Sequence, residues 1–250
     1  MAARISGFEK GTLAATLATG DAGDPSVFDN VTIGGSGALI YDNAHVAHGA
    51  LATKVSVISG ASAYFRWDTI GTLTNHFARG YYYFTANPPA SQNAFLLNPL
   101  NAAGTTVAVV FVNQTGQIVL QDSVGTATTM TNTIPLNQWF RLEANFIHSA
   151  TVGQIETKLY LTMDSLTADE TKTTAANLNT GVNATRMRIG QPSATATYSF
   201  WLDNIVSGVA AYPGPFPATS LGESSLRRLR RSGGAAGAHL LRSHSGFSSL

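Results

Sequence analysis

The sequence predicts an all-β protein built as a two-sheet antiparallel sandwich. Charged residues make up only 12% of the 250 residues, which is low for a soluble chain. Runs of β-branched and aromatic residues recur along the chain, and turns rich in Gly, Asn, Pro and Thr separate them. No segment between these runs has the pattern of a helix of about 10–15 residues, so the spacing favours a sandwich over alternating strands and helices.

Two hairpins are the clearest local signals. In residues 105–121, two β-branched runs flank a polar turn at 113–116 (NQTG). The second hairpin pairs Trp139–Ile147 with residues 154–163, and its first strand turns Phe140, Leu142, Ala144 and Phe146 to one side. Further strands are expected at 50–59, 63–69, 76–85, 186–190 and 197–206. The short, Thr-rich segment 166–178 is predicted to be a loop.

The chain divides by composition into a body, a linker and a tail. We expect one sandwich domain over residues 1–208. Residues 209–218 contain YPGPFP, which cannot continue a sheet because proline lacks the ladder donor, and they are predicted to form a linker. The tail, 219–250, is rich in Gly, Ser and Arg and is predicted to be disordered.

Several classes of protein are excluded or disfavoured. The chain has no cysteine, which excludes disulfides and cysteine-based metal sites. No stretch of about 20 apolar residues is present, so no membrane-spanning helix is expected. The start of the sequence has no apolar segment of the kind found in secretory signals. The tail has five arginines and one glutamate, a net charge of +4, so the remaining residues have a net charge of −3. A weakly acidic body lacks the basic surface that nucleic-acid binding needs.

Four short motifs resemble those of one superfamily. They are GFEKG at 7–11, NQWFRL at 137–142, KLYL at 158–161 and FWLDNIV at 200–206. Together they resemble the concanavalin A-like lectin and glucanase superfamily, including laminin G-like jelly rolls. The resemblance covers residues 4–208 and implies a jelly-roll sandwich in which the first strand lies beside the last. Proteins of this architecture have many functions, so the fold alone does not identify one.

The resemblance implies a non-catalytic structural or adhesion protein, of a virion or a cell surface, that binds glycans. Similar domains occur in phage tail, fibre and capsid-decoration proteins, and the Lys-poor composition suits a high-GC host or its phage. The expected location is the virion or the cell exterior. The expected partners are a glycan and either further copies of the chain or other virion proteins.

A glycan-binding face is predicted from the alternation of two aromatic strands. In 63–69, Phe65 and Trp67 are expected in the core and the alternate residues outside. In 76–85, the alternation again turns one set of residues outwards. If the two strands are neighbours, one concave surface carries six candidate binding residues: Tyr64, Arg66, Asp68, Arg79, Tyr81 and Tyr83. Trp139 and Trp201 are expected in the core.

Calcium is a predicted cofactor. Glu9 lies in the opening motif and Asp203 in the closing one, so pairing of the first and last strands would bring their carboxylates together. Carboxylate and carbonyl oxygens are the ligands that Ca²⁺ takes. The alternative is that both carboxylates are solvated or accept hydrogen bonds from turns. His45 and His48, three residues apart, are interpreted as surface histidines rather than zinc ligands, because no third ligand is indicated.

The alternative function is a polysaccharide-degrading enzyme. A glycoside hydrolase needs two carboxylates at a set separation, and the five glutamates lack the E-x-D-x-E spacing of the laminarinase-like members of the superfamily. A lyase needs a base and a cation that neutralises a uronate. The residues for such a reaction are present, but their spacing does not identify a site: His45, His48, His76, Arg66, Arg79, Tyr81, Tyr82 and Tyr83.

Overall fold

A computed structural model describes residues 3–23 and 26–216 of the chain. These residues form strands and connecting loops without a helix, and so without a helix that could span a membrane. The strands are β1 (Arg4–Ser6), β2 (Ala22–Gly23), β3 (Ser26–Val27), β4 (Asn30–Gly34), β5 (Ala38–Asp42), β6 (Ala52–Val57), β7 (Ser62–Trp67), β8 (Asn75–Phe84), β9 (Ala94–Leu100), β10 (Ala108–Val112), β11 (Gln117–Asp122), β12 (Ala127–Thr133), β13 (Trp139–Ile147), β14 (Gln154–Tyr160), β15 (Glu170–Thr173), β16 (Arg186–Gln191) and β17 (Tyr198–Val209).

The strands form two large antiparallel sheets and one small hairpin. The eight-stranded sheet has the order β15-β14-β13-β8-β17-β6-β5, with β1 added along the second half of β17. The seven-stranded sheet has the order β12-β11-β10-β9-β16-β7-β4, and β2 pairs with β3. The predicted all-β, two-sheet jelly-roll sandwich is confirmed, and the predicted pairing of the first strand with the last is present as Ile5 opposite Val206.

The core lies between the two sheets. Alternation along each strand turns apolar side chains inward, as predicted for Phe65, Trp67, Phe140, Leu142 and Phe146, all of which are fully buried. Both predicted hairpins are confirmed, β10 with β11 and β13 with β14. A strand is also present where the sequence predicts only a loop, because β15 pairs with β14 at the edge of the eight-stranded sheet.

Residues 209–216, predicted as a linker, pack against the domain. Strand β17 runs on to Val209, and Tyr212, Gly214 and Phe216 all make hydrogen bonds to residues of the eight-stranded sheet. The described part of the predicted linker is therefore a strap over that sheet, and we call 212–216 the strap. The predicted tail, 219–250, lies outside the described residues.

Candidate functional site

A row of aromatic residues crosses the outer face of the eight-stranded sheet, the face turned away from the core. Register places Lys54 of β6 opposite Trp201 of β17, Trp201 opposite Tyr83 of β8, and Tyr83 opposite Trp139 of β13. Tyr83 lies 5.6 Å from Trp139 and 5.8 Å from Trp201 between ring centroids, and the Lys54 Nζ lies 5.0 Å from the Trp201 ring. We call Lys54, Trp201, Tyr83 and Trp139 the aromatic row.

His45 lies on this row. Its imidazole stacks on Tyr83 with centroids 4.0 Å apart and meets Trp201 edge-on at 4.5 Å. His45, Tyr83, Trp139 and Lys54 are only partly buried, whereas Trp201 is 7% exposed. A ligand can therefore reach the Tyr83 and Trp139 rings, the Lys54 ammonium and the His45 imidazole, whereas Trp201 is almost fully covered.

Two carboxylates hold the loop that carries His45. The Asp203 Oδ2 accepts hydrogen bonds from the backbone N–H groups of Ala47 and His48, each at 3.1 Å. The Glu9 carboxylate accepts from Ala50 N at 2.9 Å and from Leu51 N at 3.4 Å. Hydrogen bonds from four backbone N–H groups therefore hold loop 45–51 in place, which fixes the position of the His45 imidazole above Tyr83.

The pKa of Asp203 is raised to about 8, chiefly by burial and also by the nearby charge of Glu9, although three backbone N–H donors act in the opposite direction. The two carboxylates are therefore close enough to repel each other, and a hard cation would relieve that repulsion. They supply two of the six to eight oxygen ligands that Ca²⁺ takes. Within 3–23 and 26–216, no group of three or more His, Cys, Asp or Glu side chains is arranged for a metal. Calcium binding stays a prediction.

Beside the aromatic row, the outer face is covered. Tyr81 is fully buried; its hydroxyl donates to Asp164 Oδ1 at 3.1 Å and accepts from Phe216 N at 2.6 Å. His48 also contacts Asp164 at 3.1 Å and stacks on Phe216 at 5.0 Å. Burial raises the pKa of Tyr81. This part of the face is a hydrogen-bonded network that buries Tyr81, and its Asp164 side chain is 47% exposed.

A buried ion pair supports this network. Arg141 and Glu143, each 1% exposed, lie 3.2 Å apart from Nε to Oε1, and the Tyr160 hydroxyl donates to Glu143 Oε2 at 3.2 Å. The Arg141 guanidinium also donates to the carbonyls of Met163 and Ser165 at 2.6 and 2.7 Å. Glu143 is therefore buried away from solvent, which removes it as one of the two solvent-facing carboxylates that glycoside hydrolysis needs.

The strap closes the far side of the face. The Tyr212 hydroxyl donates to Glu156 Oε1 at 2.6 Å, and the Lys158 Nζ lies 3.8 Å from the Tyr212 ring. The Arg79 Nη1 donates to Gly214 O at 2.8 Å. The strap therefore covers the part of the outer face that carries Arg79, Glu156 and Lys158.

The six predicted glycan-binding residues do not share one surface. Arg79, Tyr81 and Tyr83 lie on the outer face of β8, as the alternation predicts, and of these Tyr83 is the one left open. Tyr64, Arg66 and Asp68 lie on or just after β7, which belongs to the seven-stranded sheet. The prediction that β7 and β8 are neighbours is wrong, because the chain crosses from one sheet to the other between them.

Sequence reasoning also misses part of the row. Trp139 and Trp201 are expected in the core, but both lie on the outer face, since their partners in register are Tyr83 and Lys54. The alternation of side chains along β13 and β17 could have identified both residues as outward-facing. Phe140 and Leu142 face the core, so Trp139 must face away from it, and the same holds for Trp201 between Phe200 and Leu202.

Comparison with known proteins identifies the fold alone. The chain is similar to the crystal structure of an endo-β-1,4-glucuronan lyase from the fungus Trichoderma reesei, with TM-score 0.56, 11% identity, and coverage of 76% of this chain and 95% of that one. It is also similar to the cellulose-induced protein Cip1, with TM-score 0.55, 14% identity, and coverage of 82% and 97%. No protein-family model and no curated protein matches the sequence. The architecture is a jelly-roll sandwich.

Proposed function

We propose that this protein binds a polysaccharide along the aromatic row. The observation that carries the proposal is the register itself, which aligns Trp201, Tyr83 and Trp139 across three adjacent strands with Lys54 at one end. Aromatic rings offer flat apolar surfaces to the C–H faces of sugar rings. A sugar chain lying across the strands would contact the exposed parts of Tyr83 and Trp139, while the buried Trp201 packs against Tyr83.

Acidic sugars fit this row better than neutral ones. The Lys54 ammonium and the partly exposed imidazole of His45 lie on the open side, and the carboxylates of Glu9 and Asp203 are turned to backbone N–H groups of the loop. A uronate carboxylate would find a cation at Lys54, and the Asp164 carboxylate beside the row is already paired with His48. The fold shared with a glucuronan lyase supports this substrate class.

A uronate lyase is the second candidate, and the stacking of His45 on Tyr83 favours it. In β-elimination a base removes the proton next to the carboxylate, the glycosidic C–O bond breaks, and an acid protonates the leaving oxygen. His45 and Tyr83 are the two proton-transfer groups on the row, while His48 beside it is paired with Asp164. His76 is buried in the core, and Tyr81 lies under the strap.

The deciding experiment measures binding and turnover together. The full chain is titrated with polyglucuronate and with neutral cellulose oligosaccharides, and the formation of unsaturated uronates is followed by ultraviolet absorbance. Binding without turnover supports a binding protein, and turnover that is lost in His45→Ala supports a lyase. No binding to either polymer would overturn both candidates. The comparisons give no support to a virion role, so the predicted virion location and partners remain predictions.

A further inference from the structure

A second group of charged residues lies on the outer face of the other sheet. Register places Arg188 of β16 directly opposite Arg66 of β7, and Arg186 lies two residues away on the same face of β16. Like charges directly opposite each other on neighbouring strands destabilise a sheet. The Arg66–Arg188 pair should therefore destabilise the sheet unless another group offsets the repulsion.

These arginines have too little negative charge around them. Arg66 is paired with Asp68, whose Oδ2 accepts from Arg66 Nη2 at 3.1 Å, and Arg186 Nε lies 3.7 Å from the same carboxylate. Arg188 instead donates to two neutral groups, to Asn98 Oδ1 at 2.8 Å and to Thr106 Oγ1 at 3.2 Å. Within the described part of the chain, Arg66 and Arg186 therefore share one carboxylate, and Arg188 forms no ion pair.

The surroundings of Arg188 make its positive charge costly. Burial lowers the pKa of Arg188 and the charge of Arg66 acts in the same direction, while Tyr64 acts in the opposite direction. Arginine nevertheless stays charged in proteins, so the repulsion is not relieved by loss of a proton. An anionic group between Arg66 and Arg188 would relieve it, and the guanidinium fork suits carboxylate and sulfate oxygens.

Tyr64 supplies an apolar surface beside this pair. Its ring lies 5.4 Å from the Arg188 Cζ, and its partner across the strand is Gly190. Gly190 has φ of 102°, and a Cβ there would lie 2.6 Å from Ala63 O, so a side chain is not accommodated. Tyr64 therefore has no side chain opposite it on β16, and its ring remains partly exposed next to the two arginines.

We propose that Tyr64, Arg66 and Arg188 form a second ligand site, which binds an acidic sugar residue on the seven-stranded sheet. The sugar ring stacks on Tyr64, and its carboxylate or sulfate group lies between the two guanidinium groups. This site is on the opposite side of the sandwich from the aromatic row and does not rest on the function proposed for that row. If both sites are occupied, one molecule can hold two segments of an acidic polysaccharide.

The test follows the arginine side chains directly. The full chain is labelled with ¹⁵N, and the Nε–Hε signals of Arg66 and Arg188 are followed during titration with a glucuronic acid trisaccharide, cellotriose and inorganic sulfate. We expect the acidic trisaccharide to shift both signals, cellotriose to leave them in place, and sulfate to bind at least tenfold more weakly than the trisaccharide. Equal affinity for sulfate would reduce the site to a bare anion site and overturn the sugar assignment.

Variants separate this site from the aromatic row. Arg188→Gln and Arg66→Gln should each weaken trisaccharide binding at this site at least tenfold. Lys172→Gln, which removes the same charge from β15 of the other sheet, should leave the binding unchanged. Tyr83→Ala should also leave the Arg66 and Arg188 shifts intact, even if binding at the aromatic row is lost. Unmoved arginine signals in the wild-type protein, or equal effects of Arg188→Gln and Lys172→Gln, would overturn the proposal.

Discussion

His45 stacks on Tyr83 with an interplanar angle of 20°, although the two residues are 38 positions apart in the chain. The contact joins a loop held by two carboxylates to the centre of a sheet. It places an imidazole, a phenol and the Lys54 ammonium around one patch of aromatic surface. The patch therefore has the groups for recognition of an acidic sugar, and also those for proton transfer to or from one.

Removal of the Tyr83 ring should abolish most of the affinity for polyglucuronate. We expect Tyr83→Ala to weaken binding by at least tenfold, equivalent to about 1.4 kcal/mol, because the residue is the centre of the row. Tyr83→Phe keeps the ring and removes only the hydroxyl, so it should bind nearly as well as the wild type. Isothermal titration calorimetry measures both. Unchanged affinity in Tyr83→Ala would place the ligand elsewhere.

Tyr83→Phe also separates the two candidate functions. A binding protein keeps its function in this variant, whereas a lyase that uses the phenol for proton transfer loses turnover while its substrate affinity is retained.

Gly49 should be required for the loop that positions His45. It has φ of 85°, and a Cβ there would lie 2.1 Å from Glu9 Oε1, displacing the carboxylate from Ala50 N and Leu51 N. Gly20 is the matched control, because it has φ of 89° and a Cβ added there would meet nothing within 4 Å beyond its chain neighbours. We expect Gly20→Ala to cost about 1 kcal/mol from backbone strain alone. Gly49→Ala should cost about 1–2 kcal/mol more from lost hydrogen bonds.

Thermal or urea unfolding measures this difference. Equal losses in the two glycine variants would show that Glu9 does not hold the loop.

The strap should contribute to the stability of the domain, contrary to the linker interpretation. Tyr212 contacts Glu156, Lys158 and the Phe77 ring, whose centroid lies 4.8 Å away. We expect Tyr212→Ala to lower the free energy of unfolding by about 2 kcal/mol, from lost aromatic and cation–π contacts and a hydrogen bond to a carboxylate. Tyr212→Phe should lose only the hydrogen bond, about 1 kcal/mol. Urea unfolding that is unaffected by Tyr212→Ala would support a free linker.

The sequence predicts the core residues of this protein better than the residues that share a surface. Period-2 alternation identifies the core residues of β7, β8 and β13, because burial imposes the pattern. It does not show which strands are neighbours, so it assigns Tyr64 and Tyr83 to one surface although they lie on different sheets. Strand β9 is not among the strands expected from the sequence, and it contains Pro99, a residue type that is rare in central strands.

The contacts of the strap could not be predicted from the sequence either. Its prolines indicate only that the sheet ends, and the sites at which Tyr212 and Phe216 dock are created by the fold.

A buried pair of histidines predicts loss of stability in acid. The His148 Nδ1 faces the carbonyl of Thr180 at 2.9 Å, so this nitrogen carries a proton, and Nε2 accepts from His76 Nδ1 at 3.1 Å. The His76 Nε2 is buried without a hydrogen-bond partner among the described residues. Burial lowers the pKa of both residues, most strongly that of His76, whose pKa is lowered further by His148. Both imidazoles are therefore neutral in the folded protein.

The sign of the pH effect follows from these lowered pKa values. Below about pH 6.5 the unfolded chain takes up protons at these histidines and the folded protein does not, so the free energy of unfolding falls as the pH falls. NMR titration of the imidazole signals is the direct check. Signals of His76 and His148 should begin to shift only well below about pH 6.5. Titration of either residue at or above that pH would contradict the buried neutral pair.

Calcium should stabilise the protein if Glu9 and Asp203 hold it. A cation that binds only the folded state raises the free energy of unfolding by about 2.7 kcal/mol at a concentration of about 100 times Kd. We therefore expect a higher melting temperature in Ca²⁺ than in EDTA, with the difference lost in Glu9→Gln and in Asp203→Asn. Because the pKa of Asp203 is raised to about 8, protons compete with the cation, and the difference should grow as the pH rises towards 8. Mg²⁺ at the same concentration controls for ionic strength. Equal melting temperatures in Ca²⁺, Mg²⁺ and EDTA at a pH of about 8 would contradict calcium binding. The role of the two carboxylates would then be to hold loop 45–51 in place through their hydrogen bonds.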